Sequence, residues 1–370
     1  MSDPFGGLPP PPPGGAGDAR SAGGPERKRP FLPVTYALLT LLGVAFLAET
    51  IVGHDISGRS DVALMRMGAL YLPAVADGDF WRLGAYALLH IGWLHILMNG
   101  WSMWILLPQL EMAFGSNLAL GFFCATAIAG GAASVGWATL HGGNPHVSAG
   151  ASGGIFGLFG ATLAFYYRIR HRFTPEARRA LTRSMLFNLL INAGIAFTFP
   201  VDSAAHAGGL VSGVALGMLA PQRALAKGFW QKPMQWLIVG SVLVLASMEG
   251  AAVARAVKPK PRTLRGPGVE AKIPGLFIPV EPGTAAIPNV AELEISRAAT
   301  PLETGPGQQL AGRTWVRQTS SSQGEERVRL STEDGPGQLR IQLICADAFC
   351  RGDNADKLLE LTARTIRASP

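Results

Sequence analysis

Residues 83–107 read LGAYALLHIGWLHILMNGWSMWILL, and residues 150–167 read GASGGIFGLFGATLAFYY. Both stretches belong to a longer segment, residues 83–167, in which Glu111 is the only side chain ionised at pH 7 when histidines are counted neutral. The surface of a soluble domain must be hydrated, so such a domain rarely lacks charge over this length. The segment therefore predicts helices that lie inside a membrane.

The composition of the whole chain agrees with a membrane protein that has soluble ends. Charged residues make up 15% of its 370 residues, whereas soluble domains carry about 25%. Normal charge density returns from Lys258 onward. The net charge of +7 does not indicate a nucleic-acid partner, because the basic residues cluster beside apolar segments, where they mark membrane topology.

Seven apolar segments have roughly the length of a membrane span, and several are short and rich in Gly and Ala, as in helices packed within a bundle. In chain order, segments 1 to 7 are residues 34–53, 83–107, 118–140, 150–167, 185–201, 204–220 and 234–254.

Basic residues around these segments predict their direction across the membrane. Arg27, Lys28 and Arg29 precede segment 1 and place its start in the cytoplasm, because cytoplasmic flanks carry an excess of Lys and Arg. Segments 4 and 6 must then end inside, and each is followed by basic residues as the rule requires. Segment 7 conflicts with the rule, since Arg255 and Lys258 would lie outside, but its length still predicts a seventh span.

The sequence predicts five regions. Residues 1–30 are Pro/Gly-rich and predicted to be disordered. Residues 31–220 form a six-helix core, residues 221–256 the seventh helix, residues 257–288 a linker, and residues 289–370 a small soluble C-terminal domain.

The C-terminal region has the signals of a small α+β domain. Residues 327–331 and 338–345 flank Asp334-Gly335, which is a hairpin signal. Asp353 is one of two residues that could cap a final helix.

The three cysteines, Cys124, Cys345 and Cys350, exclude a disulfide-dense scaffold. Seven spans would place the C-terminal domain outside the cytoplasm, where Cys345 and Cys350 could form a disulfide. A metal site there is less favoured, because two cysteines without a nearby histidine provide too few ligands.

Four polar residues in the apolar segments are candidates for chemistry. His95 and Asn99 lie on segment 2, Ser152 on segment 4 and His206 on segment 6. These segments run in the same direction, so their outer parts lie at similar depth. A serine beside a histidine indicates a nucleophile and its general base. The free N–H groups at a helix start, with His95 and Asn99, could hold a developing oxyanion.

Glycine spacing predicts how segments 4 and 6 meet. Gly209, Gly213 and Gly217 recur every four residues on the face of segment 6 that carries His206. Small residues allow close approach of helix backbones, and segment 4 has Gly153 and Gly157 to match. This packing would bring His206 within reach of the serine.

Other motifs have less weight. We interpret His90, also assigned to segment 2, as structural, and His141 and His146 as solvated residues of a Gly/Asn/Pro loop. Asp202 lies four residues before His206, and a third catalytic role for it is the less favoured alternative. The chain has no His-Glu-x-x-His string, P-loop or dinucleotide fingerprint, so we expect no metal and no cofactor.

Together these motifs resemble those of the rhomboid family of intramembrane serine proteases. The resemblance covers residues 31–219, and its order and spacing are specific even though each motif alone is weak. The motifs are Trp81-Arg82, His95-Ile-Leu-Met-Asn99, Gly150-Ala-Ser152-Gly153 and Ala205-His206-Ala-Gly-Gly209.

The resemblance implies a Ser–His dyad without a third acid. Ser152 would attack the scissile carbonyl and His206 would act as the base. The Ser152 N–H, His95 and Asn99 would hold the oxyanion, and Phe156 would stack on His206.

The resemblance also implies structural roles. Trp81 and Arg82 would shape the large outer loop, with Arg82 and Glu111 matching paired elements of that framework. Segment 5 and residues 198–203 would form the substrate gate and cap. Further structural positions are Gly150, Gly153, Gly209 and Gly213.

We therefore expect an all-α polytopic membrane protein with a rhomboid-like six-helix bundle, a seventh transmembrane helix and a small α+β C-terminal domain. Its function would be that of an intramembrane serine endopeptidase acting on transmembrane proteins. The alternative is a non-catalytic rhomboid-like chaperone or dislocation factor. A transporter ranks last, because the sequence shows no internal repeat.

The absence of an organelle-targeting signal favours a bacterial cytoplasmic membrane, with the N-terminus in the cytoplasm and the active site open to the exoplasmic side. The expected partners are transmembrane substrates, the lipid bilayer and an exoplasmic partner of the C-terminal domain, but no nucleic acid.

Overall fold

The structure is a computed structural model. It describes residues 32–141, 146–198, 201–220, 231–267, 269–288, 290–298, 307–310, 313–322, 325–334, 337–346 and 353–368. The predicted disordered segment 1–30, Gly335 of the predicted turn and Cys350 lie outside these residues.

The part of the described chain up to Val257 is helical, with ten α-helices joined by short loops. They are α1 Pro33–Gly53, α2 Asp61–Met67, α3 Leu72–Ala76, α4 Arg82–Ala85, α5 Trp93–Phe114, α6 Ser116–His141, α7 Ser152–Ile169, α8 Pro175–Thr198, α9 Ser203–Leu219 and α10 Gln231–Val257.

Each of the seven apolar segments overlaps one of these helices, namely α1 and α5 to α10. By length and composition, α1, α6 and the Val239–Val257 part of α10 are long and apolar enough to cross a membrane. The apolar helix α9 is shorter. His141, predicted to lie in the loop, is instead the last residue of α6.

Segment 2 does not form one helix, which corrects the predicted start at residue 83. Residues 82–88 form α4 and a 3-10 turn, and α5 begins only at Trp93. Gly92 interrupts the helix because its φ of 85° lies in the region that favours glycine. His90 therefore lies in the loop before α5, although it was predicted on the helix.

The backbones of α7 and α9 lie in direct contact, as the glycine spacing predicts. A Cβ at Gly209 would lie 2.0 Å from the carbonyl oxygen of Gly153, and a Cβ at Gly213 would lie 2.0 Å from that of Gly157. A side chain at either position would force the helices apart. This contact sets the distance between the residues that α7 and α9 carry.

Gly213→Ala should therefore destabilise the bundle by about 1–3 kcal/mol or more, as overpacking does. Gly136→Ala is the matched control, because a Cβ at Gly136 on α6 meets nothing within 4 Å. The control should be neutral or slightly stabilising. Thermal unfolding of both purified proteins measures the difference, and equal melting temperatures would contradict the packing described.

After α10 the described residues form a β-sheet domain that also contains a helix. The seven-stranded antiparallel sheet has the order β3-β4-β5-β9-β8-β7-β6, and a three-stranded sheet has the order β1-β2-β10. The elements are β1 Arg262–Gly266, β2 Val269–Ile273, β3 Ile278–Glu281, β4 Thr284–Ile287, β5 Ala291–Ala298, β6 Gly307–Leu310, β7 Arg313–Ser322, β8 Glu325–Asp334, β9 Gly337–Ala346, α11 Asp353–Thr365 and β10 Arg367–Ala368.

The predicted linker 257–288 is wrong, because β1 to β4 occupy most of it. Leu264, Val269 and Ile273 point into the core of the domain with at most 1% of their surface exposed. The Pro and Gly residues that indicated a linker lie largely in the turns between short strands, where they are common.

The predicted hairpin is present, and β8 pairs with β9 in a register that sets Asp334 opposite Gly337. The predicted helix is α11, which begins at Asp353. Cys124 is a free, buried thiol, and Cys345 is disulfide-bonded.

The sheet domain is docked onto the loop between α3 and α4 by a group of charged residues, which we name the docking cluster: Asp77, Asp79, Arg82, Arg255 and Arg262. Arg262 on β1 pairs with both aspartates. Arg255, near the end of α10, lies 3.4 Å from Asp79. Arg255 conflicted with the charge rule, and Asp79 provides a carboxylate partner for it.

Arg82 and Glu111 do not pair with each other, which corrects the implied framework. Arg82 is buried and its Nε lies 3.2 Å from Asp79, while its other nitrogens donate to the carbonyls of Ala69 and Met65. Glu111 instead accepts hydrogen bonds at the start of α1, from residues that include Thr35.

Asp79→Asn should destabilise the docking by about 3 kcal/mol at neutral pH, since it removes one partner of a buried ion pair. Burial alone would raise the pKa of Asp79, but Arg262 and Arg82 outweigh it and hold the pKa below its ordinary value of 3.8. The stabilisation is therefore full above pH 3.8 and is lost as the pH falls through the lower folded-state pKa.

Unfolding as a function of pH measures this contribution. The wild type should lose more stability on acidification than Asp79→Asn. Asp55→Asn is the control, because exposed Asp55 bonds only Ser57 and Arg59 in its own turn. An Asp79→Asn protein as stable as the control at pH 7 would contradict the role of the cluster.

Candidate active site

Ser152 is the first residue of α7, and the loop before it is held at two points. Leu70 and Ser148 form a backbone bridge, and the Gly150 N–H donates to the carbonyl of Tyr86 at 3.0 Å. Gly150 has a φ of 140°, which L-residues with a side chain rarely adopt. The loop thus delivers Ser152 at a helix N-terminus, where backbone N–H groups have no helical partner.

The structure brings Ser152 and His206 together. The Oγ of Ser152 and the Nε2 of His206 are 2.8 Å apart, which is a hydrogen bond. The ring of Phe156 stacks on the imidazole, with centroids 4.2 Å apart and an angle of 11° between the planes. Phe156 lies one turn after Ser152 on α7, so one helix supplies both the hydroxyl and the stacking ring.

His95 and Asn99 lie on the Gly150 side of the site. A Cβ at Gly150 would lie 2.8 Å from the Nε2 of His95 and 3.5 Å from the Nδ2 of Asn99. The Ile91 N–H donates to the Nδ1 of His95 at 3.3 Å, so we assign the proton of the neutral ring to Nε2. Two N–H donors therefore lie beside the loop that leads to Ser152.

The amide nitrogen of Asn99 is buried and has no hydrogen-bond partner in the part of the chain that the structure describes. A buried donor without a partner costs about 1–3 kcal/mol. Such a donor is expected where a ligand or a reacting oxygen supplies the missing acceptor.

Asp202 caps α9 and does not bond the ring of His206 among the hydrogen bonds of the described residues. Its carboxylate accepts from the N–H of Ala205 at 2.9 Å and from the hydroxyl of Ser134 on α6, and lies 3.7 Å from His146. Burial alone would raise the pKa of Asp202, but these hydrogen bonds lower it to about 2.

Sequence reasoning missed the contacts of Ser134 and His146. The Asp202 cap had a signal, since Asp is a preferred residue before a helix. The pairing with Ser134 and His146 had none, because each partner lies far away in the chain.

The described residues include no group of three or more His, Cys, Asp or Glu side chains that could hold a metal ion. The site therefore consists of a hydroxyl, an imidazole hydrogen-bonded to it, and N–H donors nearby. These are the groups of a serine-nucleophile site built inside a helix bundle.

A family model described as "Rhomboid domain" matches residues 77–223, a range that contains every residue of the site. Residues 77–223 therefore form a rhomboid domain, and the resemblance to the rhomboid family is confirmed. The match to this domain, together with the apolar helices, indicates an integral membrane protein.

Three curated relatives have about the same sequence identity to this chain. Rhomboid protease GluP of Bacillus subtilis (strain 168) is 32% identical over 180 residues, which are 48% of this chain and 33% of that protein. RHOMBOID-like protein 5 of Arabidopsis thaliana is 31% identical over 168 residues, which are 45% of this chain and 53% of that protein. Putative rhomboid protease YdcA of Bacillus subtilis (strain 168) is 29% identical over 192 residues, which are 52% of this chain and 90% of that protein. The chain thus covers about a third of the length of the first of these relatives and about half of the length of the second.

Gly150→Ala should slow the reaction of Ser152 with a fluorophosphonate probe by about 10²-fold, the effect of losing one oxyanion donor. The new Cβ would lie 2.6 Å from the Cε1 of His95 and would displace that ring. Gly78→Ala is the matched control, because Gly78 also has a positive φ, of 98°, but open space around it.

The rate of probe labelling, followed by in-gel fluorescence, measures the effect. Equal rates for the two variants would mean that backbone strain alone, rather than contact with His95, sets the requirement for glycine.

Proposed function

We propose that this protein is an intramembrane serine endopeptidase that cleaves transmembrane segments of other proteins with a Ser–His dyad. The observation that carries the proposal is the 2.8 Å hydrogen bond between Ser152 and His206 at the N-terminus of a buried helix. The rhomboid domain at residues 77–223 supports it.

The proposed reaction is acyl transfer in two steps. His206 accepts the hydroxyl proton as the Ser152 Oγ attacks the scissile carbonyl, and a tetrahedral oxyanion forms. The intermediate collapses to an acyl-enzyme when His206 returns the proton to the leaving amine. Water then attacks the ester with His206 again as the base, which releases the new carboxyl end and restores Ser152.

Three donors would hold the oxyanion: the Ser152 N–H, the His95 Nε2–H and the Asn99 amide. Removal of one preorganised donor reduces kcat by about 10²–10³. The unpartnered amide of Asn99 supports this role, because the oxyanion would supply its acceptor.

In this proposal His206 acts as the base without an acidic residue as the third member of the site. Phe156 stacks on His206, and the contact of α7 with α9 keeps the imidazole beside Ser152. Asp202 forms no hydrogen bond with the His206 ring among the described residues, and it caps the helix that carries His206.

We further propose a topology in which α1 and α5 to α10 all cross the membrane. Arg168 in the last turn of α7 and Arg170 and Arg172 just after it mark the cytoplasmic side, so the site would open to the exoplasmic side. The sheet domain docks at the Ser152 end of the bundle, which supports its placement outside. A bacterial cytoplasmic membrane is the proposed location.

The proposed substrates are membrane proteins whose transmembrane helix unwinds near small residues, because a helical peptide bond is not accessible to Ser152. Helix α8 and residues 198–203 would admit them. An exoplasmic partner would bind the sheet domain.

The test is cleavage of a panel of tagged single-span membrane proteins co-expressed with the wild type, Ser152→Ala or His206→Ala. We expect product from the wild type and a loss on the order of 10⁴-fold in each variant. Ser247→Ala and His141→Ala are matched controls, because both residues are exposed and bond only their own helices.

Equal cleavage by all proteins would mean that another protease makes the product. Binding of a panel member without cleavage, by the wild type and Ser152→Ala alike, would instead favour a non-catalytic rhomboid-like chaperone.

A further inference from the structure

Glu49 is a buried acidic residue that the proposed mechanism does not use. It lies near the end of α1, with 2% of its surface exposed, and is the only charged residue of that helix. Among the described residues, no ion pair involves Glu49. A buried carboxyl without a cation is costly, so it is retained only where its hydrogen bonds matter.

The carboxylate of Glu49 binds one peptide N–H of the loop before α5. Both of its oxygens accept from the N–H of His90, each at 3.1 Å. The two residues are 41 positions apart, so this contact ties α1 to the loop. It fixes the plane of the Leu89–His90 peptide.

The next N–H groups in the loop have different acceptors. The Ile91 N–H donates to the Nδ1 of His95 at 3.3 Å, and the Gly92 N–H donates to the carbonyl of Gly58 at 2.8 Å. The turn therefore presents three successive N–H groups, and the middle one sets the protonation of His95. Glu49 holds the first of the three.

The side chain of His90 strengthens the same arrangement. Its Nδ1 lies 3.1 Å from the carbonyl of Leu88 and donates to it. Its ring packs edge-on against His95, with centroids 5.2 Å apart and an angle of 65°. Rotation of the turn would thus move His95 through both a hydrogen bond and a ring contact.

We propose that Glu49 is a positioning residue of the oxyanion site, which acts through the turn 90–92 to hold His95 with its Nε2–H toward the reacting carbonyl. The inference rests on the proposed function and extends it to α1, which contributes no group to the reaction itself. Glu49 is not a catalytic residue, because its hydrogen bonds in the described part of the chain go to the His90 N–H and not to Ser152 or His206.

The other end of α1 offers a matched control. Glu111 is also buried, and it accepts from the N–H groups of Val34 and Thr35 at 3.0 Å each. It therefore ties α1 to the bundle just as Glu49 does, but none of its partners contacts the site. Glu111, which belongs to α5, therefore represents a buried carboxylate that ties α1 to the bundle in a purely structural role.

The experiment is a double-mutant cycle on the purified full-length chain with a cleaved panel substrate. Glu49→Met keeps the volume of the side chain but removes the acceptor. We expect it to lower kcat by about 10-fold, with KM changed less than about 2-fold, because only the transition-state contact weakens. In a His95→Ala background it should cause no further loss, since the two residues act as one unit.

Glu49→Gln should restore most of the activity, because its amide oxygen still accepts from His90. Glu111→Met should reduce kcat by the same factor with and without His95. If Glu49→Met unfolds at the assay temperature, Glu49→Asp replaces it, with a smaller loss that again disappears in His95→Ala.

Equal losses from a Glu49 variant in both backgrounds would overturn the inference, as would a Glu49→Met protein as active as the wild type. Ser152→Ala, assayed in parallel, tests the proposed function independently of the role of Glu49. If Ser152→Ala cleaves as well as the wild type, the protease proposal itself fails.

Discussion

The contact between the backbones of α7 and α9 is the constraint on which the rest of the site depends. Ser152 and His206 lie on different helices, and a hydrogen bond of 2.8 Å leaves little freedom in their separation. Gly209 and Gly213 have no side chain, so the backbones of the two helices approach directly at these two positions. The polar pair is therefore positioned by packing, so that no further buried charge beside His206 is needed to hold it.

Three carboxylates at or near the ends of helices tie elements of the fold together. Glu111 holds the start of α1, Asp202 caps α9, and Asp79 binds arginines from two later parts of the chain. Each carboxylate joins segments that are distant in sequence. Such ties fit a protein with few charges, because each buried charge must satisfy several partners at once.

The sequence predicted the site better than the connections around it. Ser152, His206 and the glycines follow local spacing rules that fold in a regular helix, and the hairpin around Asp334 follows a turn rule. The interruption of segment 2 at Gly92 was missed, because the segment is apolar throughout and hydropathy does not distinguish a helix from a buried loop. The strands within 257–288 were missed because they are short and their partners lie elsewhere in the chain.

The docking cluster has a consequence for the order in which the protein is made. Asp77 and Asp79 leave the ribosome nearly two hundred residues before Arg262, so the loop between α3 and α4 has its last partner only after helices α4 to α10 have been made. Domains fold as units in the order of synthesis. The docking cluster is therefore completed last, when Arg262 has been made and can pair with Asp77 and Asp79.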